Sequence, residues 1–229
     1  LRVDMGRVGE QPIHLRLKSD CFGMTRVGAL SSSPISTTRD RKLVADGDGS
    51  VGFVIPLAGR YVAGHKGNHF TVVPSQVMAL SDDCEGIVNC PSGGSFLTVV
   101  MQRKSLLEAL NAKTLNFGER LHYTGESLAL LQAYIRFVCS NSGHATAADR
   151  TIAGRHLVEL FALGLDVRVD AASAAGAGSM LAARFAAIHA EIDSHFSATW
   201  FSIEVCAAKL GLSVRSVQDI CQRNGTSFL

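Results

Sequence analysis

The segment from Trp200 to Phe228 constrains this chain more than any other. Ser202 stands where a helix N-cap is expected, and Glu204 adds negative charge to the first turn. Ile203, Val205, Cys206 and Leu210 recur at helical spacing and give that helix a buried face. Ala207 and Ala208 are small enough to let a second helix approach closely. Gly211 follows, where a helix ends in the left-handed conformation that glycine tolerates best. Leu212 plugs the gap between the helices, and Ser213 is a second N-cap. Val214, Val217, Ile220 and Cys221 then face inward from a second helix that Gly225 closes. This order predicts two short helices joined by a tight turn, a helix-turn-helix.

The outward face of the second helix carries Arg215, Ser216, Gln218, Asp219 and Gln222. Arginine can make two hydrogen bonds to guanine and glutamine two to adenine, so Arg215 and Gln218 are the candidates for reading base edges. Ser202 and Ser216 can donate to phosphates, which holds register without reading sequence. Asp219 is unfavourable near phosphate unless it accepts from a cytosine amino group. With the cap residue Ser213 and with Gln222, these residues make up the expected DNA-binding set. The plain alternative is that each polar residue only solvates a surface helix.

Residues 207–218 together with 224–228 resemble the first helix-turn-helix of the AraC/XylS transcription regulators, and residues 183–195 resemble the helix preceding it. Members of that family usually carry two such units joined by a long helix. Here the chain stops at Leu229, where the connecting helix is expected, and it begins at Leu1 rather than methionine. It is therefore expected to be a fragment. Asp219 departs from the family pattern, which often has a basic or neutral residue there.

Charge alone does not announce a nucleic-acid partner. The whole chain carries a net charge of +2. From residue 180 onward Arg184, Lys209, Arg215 and Arg223 are balanced by Glu191, Asp193, Glu204 and Asp219. Because nonspecific affinity rests on phosphate neutralisation, this unit alone is expected to bind DNA weakly. With 229 residues and 47% hydrophobic content, the chain has room for one large domain or two small ones around a real core. No run of eighteen apolar residues and no secretory signal pattern occurs, which makes the cytoplasm the expected address. The six cysteines are scattered without a Cys-x-x-Cys pair, and a Cys84–Cys90 disulfide is not expected in a reducing compartment.

Upstream, short alternating runs at 13–17, 51–57, 61–63, 69–73, 77–80, 87–90 and 96–101 are separated by Gly, Asp, Asn and Ser. Many short strands with frequent turns predict a sandwich or small barrel. Helical patterns follow at 104–110, 126–139 and 146–165, with a break through 116–118. The Ala/Gly/Ser-rich stretch 166–179 reads as a flexible linker and domain boundary. More loosely, residues 59–62, 73–80 and 96–107 look like the cupin-like sensor domain of one AraC-family branch, in which a β-barrel binds a small molecule and the following helices dimerise. The resemblance implies an α+β chain: a cupin-like β-barrel over 1–101, dimerisation helices over 102–165, the linker, and a helix-turn-helix segment over 180–229.

Phe53, Ile55, Tyr61, Phe70 and Val72 are the residues expected to line a barrel interior and contact an apolar or aromatic effector, although a filled core without a cavity fits the same pattern. His65 and His69 bracket a turn, but their spacing does not match the ligand set of enzymatic cupins, and no metal or other cofactor is expected. Asp82, Asp83 and Glu85 read as a solvated hairpin loop, and His156 as a hydrogen-bonded core or interface residue. The leading expectation is a non-enzymatic, effector-controlled DNA-binding regulator. Its partners would be promoter DNA, a small-molecule effector, a second copy in a homodimer and, for an activator, RNA polymerase; no membrane partner is expected. Two alternatives stay open: a sensor and dimerisation fragment that acts through mixed dimers, and a cupin enzyme with a chance helix-turn-helix pattern.

Overall fold

The computed structural model describes residues 2–10, 12–110, 119–121, 123, 125–165 and 174–228. Its first part is built from strands β1 (Asp4–Arg7), β2 (Leu15–Phe22), β3 (Thr25–Ser32), β4 (Ile35–Arg39), β5 (Ser50–Ala58), β6 (Tyr61–His65), β7 (Asn68–Val72), β8 (Val77–Ser81), β9 (Gly86–Cys90), β10 (Gly94–Gln102) and β11 (Glu119–Leu121). The short helix α1 (Arg41–Val44) sits between β4 and β5, capped by Asp40, whose side chain accepts from the Leu43 amide. Two antiparallel sheets result. One has the order β1-β4-β9-β6-β7, the other β11-β8-β5-β10-β3-β2.

The expected barrel is therefore an open sandwich. Among the described residues the edge strands β1 and β2 pair only with β4 and β3 in their own sheets, and a sandwich keeps such edges where a barrel would close them. The sequence patterns located β5 to β10 to within a few residues and the start of β2. They missed β1, β3, β4 and β11, whose residues lack a clean apolar alternation.

Helices α2 (Arg103–Ala109), α3 (Gly125–Ser140) and α4 (Ala147–Leu165) follow the strands. They cover the outer face of the six-stranded sheet. Phe53 stacks on Phe161 of α4 with ring centroids 4.2 Å apart. Val51, Ile55, Val99 and Met101 share one core with Leu106, Leu131, Ile135 and Leu157 of these helices. Backbone is in close contact where α4 crosses the β2–β3 turn, because Gly154 lies against Phe22. His156 is a hydrogen-bonded packing residue, with Nδ1 2.9 Å from the Tyr134 hydroxyl, and burial pushes its pKa down.

Helix α5 (Ala174–His195) begins inside the stretch expected to be a linker. Residues 174–179 are its first turns; residues 166–173, like the break expected at 116–118, lie outside the described residues. Alanine favours a helix while glycine and serine disfavour one, so an Ala/Gly/Ser-rich run is coil or close-packed helix according to what it packs against. Here Ala183, Ala186 and Ala187 are buried against the core formed by α3 and α4. The other side of α5 packs on α6 (Ile203–Lys209) and α7 (Val214–Arg223).

Candidate functional site

Two features stand out: the helical pair at the C-terminal end and a cavity between the sheets.

Helices α6 and α7 occupy the positions expected for the helix-turn-helix. Ser202 caps α6, accepting from the Val205 amide at 3.4 Å, and Ser213 caps α7, accepting from the Ser216 amide at 3.0 Å. Gly211 has φ +63°, the left-handed value the turn requires. Cys206, Ala207, Val217, Ile220 and Cys221 are buried with Ile188 of α5, and Leu212 and Val214 pack against them. Buried cysteines act here as small hydrophobes, and burial raises both thiols. Arg215, Gln218, Asp219 and Gln222 are exposed on α7, and Ser216 is half-buried.

Two of the expected phosphate donors are already engaged. The Ser202 hydroxyl donates to Glu204 Oε2 at 2.6 Å, which also lowers the Glu204 pKa. A phosphate at that helix start would have to break this bond and approach a carboxylate. The Ser213 and Ser216 hydroxyls lie 2.8 Å apart. Lys209 is likewise occupied, with Nζ 3.0 Å from Glu191 on α5 and also close to the Trp200 ring.

The cavity has a volume of about 400 Å³ and lies between the sheets. That is within the usual range for small-molecule sites. Met5 on β1 and Leu17 on β2 line it while remaining 47% and 55% exposed, which places its mouth between the two edge strands. Toward one end Ile35 pairs with Cys90 and Phe96 with Leu30, and Tyr61 meets Phe96 edge-on at 5.2 Å. This end is apolar and aromatic. Burial raises the Tyr61 hydroxyl pKa, so the group stays neutral and donates to the Ala58 carbonyl.

Toward the other end the strands bring polar groups together. Arg39 and His65 both sit opposite Gly86 across the β4–β9 and β6–β9 ladders. Arg39 is buried and forms an ion pair with Asp46 at 2.8 Å. Its Nε donates to the Asp82 carbonyl and one Nη to the Arg2 carbonyl, each at 2.8 Å. His65 Nε2 accepts from the Ser81 amide at 3.3 Å, and burial lowers its pKa, so it is a neutral imidazole protonated on Nδ1. Asp82 is only 1% exposed. Burial pushes its carboxyl up to about 6, against the opposing pull of Arg39.

Of the five residues expected to contact an effector, Tyr61 and Phe53 are on the cavity wall, Phe53 even though its ring stacks on Phe161 in the helix-side core. Ile55 is not on the wall and belongs to the helix-side core. Val72 and the half-buried Phe70 belong to the inter-sheet core away from the cavity wall. The cause is the burial of β5 on both faces, which leaves no polar alternation to mark the inner one. Asp82 is the converse correction. It was expected in a solvated loop, but it continues the inward parity of Met78 and Leu80, which pack in the inter-sheet core. Extending the period of two past the strand end would have found it.

His65 and His69 do not converge, because His69 pairs with Gly64 and so projects from the opposite face to His65. Among the described residues no three His, Cys, Asp or Glu side chains come together as a metal-binding group. All six cysteines are free. Cys84 lies 3.6 Å from His65 Nε2, but burial and the Asp83 carboxylate both raise its pKa, which disfavours the thiolate a nucleophile needs.

Asp82 has a measurable consequence. A carboxyl whose folded pKa is raised binds its proton more tightly in the native state, so stability falls as pH rises from about 4 to about 6. Asp46, Asp83 and Glu204 have lowered values and act in the opposite sense below that window. His65 and His156 overlap its upper part, so the difference from Asp82→Asn isolates the effect. At neutral pH Asp82→Asn is expected to be more stable than the wild type by on the order of 2 kcal/mol. That gap should close as pH approaches 4, read by urea unfolding across the range. A gap independent of pH would show that the carboxyl is not desolvated.

The architecture is a cupin-like sandwich of two antiparallel sheets with an interior cavity open at one edge, followed by helices. The chain belongs to the AraC-binding-like domain family, whose model matches residues 2–166. Among solved structures it is similar to the AraC-like transcriptional activator CuxR, at 16% identity and a TM-score of 0.60, covering 98% of this chain and 81% of that one. At that identity the likeness is one of fold. A cupin domain of an XRE-family transcriptional regulator from Enterobacter cloacae matches 38% of this chain and 95% of its own, at 12% identity and TM-score 0.31. A putative ethanolamine utilization protein from Salmonella typhimurium matches 38% of this chain and 68% of its own, at 13% identity and TM-score 0.32. No curated protein matches the chain. Among the described residues no helix is long and apolar enough to cross a membrane.

Proposed function

We propose that this chain is an effector-controlled transcription regulator in which the inter-sheet cavity senses a small molecule and α7 faces promoter DNA. The observation that carries this reading is the double burial of α5. Ala183, Ala186 and Ala187 pack into the core shared with α3 and α4, while Leu181, Phe185, Ile188 and Ile192 pack on α6 and α7. Phe185 and His189 both meet the ring of Phe137 on α3, at 5.9 and 5.6 Å. A single helix thus belongs to the sensor-side core and to the core beneath the exposed face of α7. An effector that favours one packing of the sandwich on its helices biases the placement of α7 through that helix.

Arg215 and Gln218 are exposed and are the residues proposed to read base edges. Ser202 and Ser213 act first as caps, Ser216 takes part in the second cap, and Asp219 and Gln222 flank the contact. Arg215→Ala combined with Gln218→Ala is expected to weaken specific promoter binding about 100-fold, each lost contact being worth about 1–3 kcal/mol. Gel shift at near-physiological salt measures it. Unchanged affinity would remove α7 from the interface. Cofactor-free, non-catalytic sensing in a homodimer is part of the same proposal, as are contact with RNA polymerase in an activator and a cytoplasmic address.

A second reading is favoured by the charge balance of residues 180–229 and by the engagement of Lys209 with Glu191. In it the chain senses and dimerises but binds DNA weakly, and acts through mixed dimers. Mixed dimers with an intact homologue that lose promoter binding would support it; a strictly monomeric chain would exclude it.

A further inference from the structure

The polar end of the cavity contains a buried group with no hydrogen-bond partner among the described residues. Asp82 lines the cavity and is almost wholly buried, and it is its Oδ2 that is left without a donor. The nearby donors are directed elsewhere. Arg39 gives its Nε to the backbone carbonyl of Asp82, not to the carboxylate, and its two Nη groups to Asp46 and to the Arg2 carbonyl. The Ser81 hydroxyl and Arg103 both go to Asp83. The Ser81 amide goes to His65. Arg26 is exposed on β3.

Charge accounting at this end is simple. Arg39 and Asp46 cancel as an ion pair and His65 is neutral, which leaves Asp82, almost wholly buried, and Arg26, which lines the cavity but is exposed to solvent. A buried carboxylate oxygen without a donor is costly, and native structures rarely keep one without a use. An anionic ligand would meet this carboxylate, and each nitrogen of the neighbouring Arg39 guanidinium is already bonded within the protein. A ligand carrying positive charge and N–H donors would supply both of the things that Asp82 lacks.

We propose that the cavity takes a small organic cation, an ammonium whose N–H groups reach Asp82 Oδ2 and whose apolar or aromatic body lies against Tyr61, Phe96, Leu30 and Ile35. The placement follows from strand register: Asp82 sits beside Arg39 and His65 at the Gly86 end of the ladders, and the Tyr61–Phe96 pair lies toward the Cys90 end. An ammonium–carboxylate contact is charge-assisted and about twice as strong as a neutral hydrogen bond, so it discriminates between ligands of the same shape. This inference rests on the reading of the cavity as an effector site.

Three ligands of one shape test it by isothermal titration calorimetry on the full chain near neutral pH: phenethylamine, phenethyl alcohol and hydrocinnamate. The amine is expected to bind about tenfold tighter than the alcohol, and the carboxylate most weakly. In Asp82→Asn the advantage of the amine over the alcohol should disappear while alcohol binding persists. Equal binding of amine and alcohol by the wild type, tighter binding of the carboxylate, or an amine advantage retained in Asp82→Asn would overturn the cation proposal and leave the effector-cavity reading standing. Failure of all three to bind would overturn both. The wild-type ranking decides the matter even if Asp82→Asn does not fold.

Discussion

Phe161→Ala is expected to lower the unfolding free energy by about 4 kcal/mol, within the range for truncating a fully buried phenylalanine. The ring is 0% exposed. It stacks on Phe53 from the six-stranded sheet at 4.2 Å and meets Tyr123 edge-on at 6.5 Å. Few side chains join strand, helix and connecting segment at one point, and the surrounding strands are held in ladders that cannot collapse into the space left behind. Equilibrium urea unfolding measures the loss. A loss below about 1.5 kcal/mol would mean that the helices rest on the sheet more loosely than the contacts indicate. In the proposed regulator the same substitution uncouples the sandwich from α4, and through α4 from α5.

Gly154→Ala acts at the other contact between α4 and the sandwich. A Cβ at position 154 would stand 2.1 Å from the Phe22 carbonyl oxygen and 2.9 Å from its carbon. Both are backbone atoms of β2, so no side-chain rotation relieves the clash, and the helix must lift from the β2–β3 turn. Alanine is otherwise the better helix former by about 1 kcal/mol, so propensity alone predicts stabilisation. The clash is expected to win, with a net loss of about 3 kcal/mol and a lowered thermal midpoint in calorimetry. A variant as stable as the wild type would show that the approach of α4 is not set by this glycine. Gly23→Ala makes a useful contrast: its neighbour Thr151 is at an ordinary 3.5 Å, but its φ is +58°, so its cost is backbone strain rather than collision.

Legibility in the sequence followed the range of the interactions. Helices α6 and α7 were readable to within a residue because their signals are local: Ser202 and Ser213 cap amides three residues ahead, and Gly211 meets its own backbone requirement. The strands from β5 to β10 were visible as apolar runs, but the side on which each residue falls was not. Val51, Phe53 and Ile55 face helices while Val54 faces the second sheet, and all are equally apolar. β3 and β4, rich in Ser, Thr and Arg, are strands because of the ladders they join.

The same division applies to function. By itself the sequence determined the family pattern, the α6–turn–α7 unit with its exposed Arg215 and Gln218, and the order of strands before helices, since periodicity and capping act over a few residues. Only the tertiary structure decided that the sandwich is open at β1 and β2, that a cavity lies inside it, and that Asp82 faces inward without a donor. It also turned the start of the Ala/Gly/Ser-rich linker into a helix buried on two sides. Each of these depends on which surfaces meet across many residues of chain. An aspartate or an alanine run reads the same in water as in a core, and the partner brought against it decides between the two.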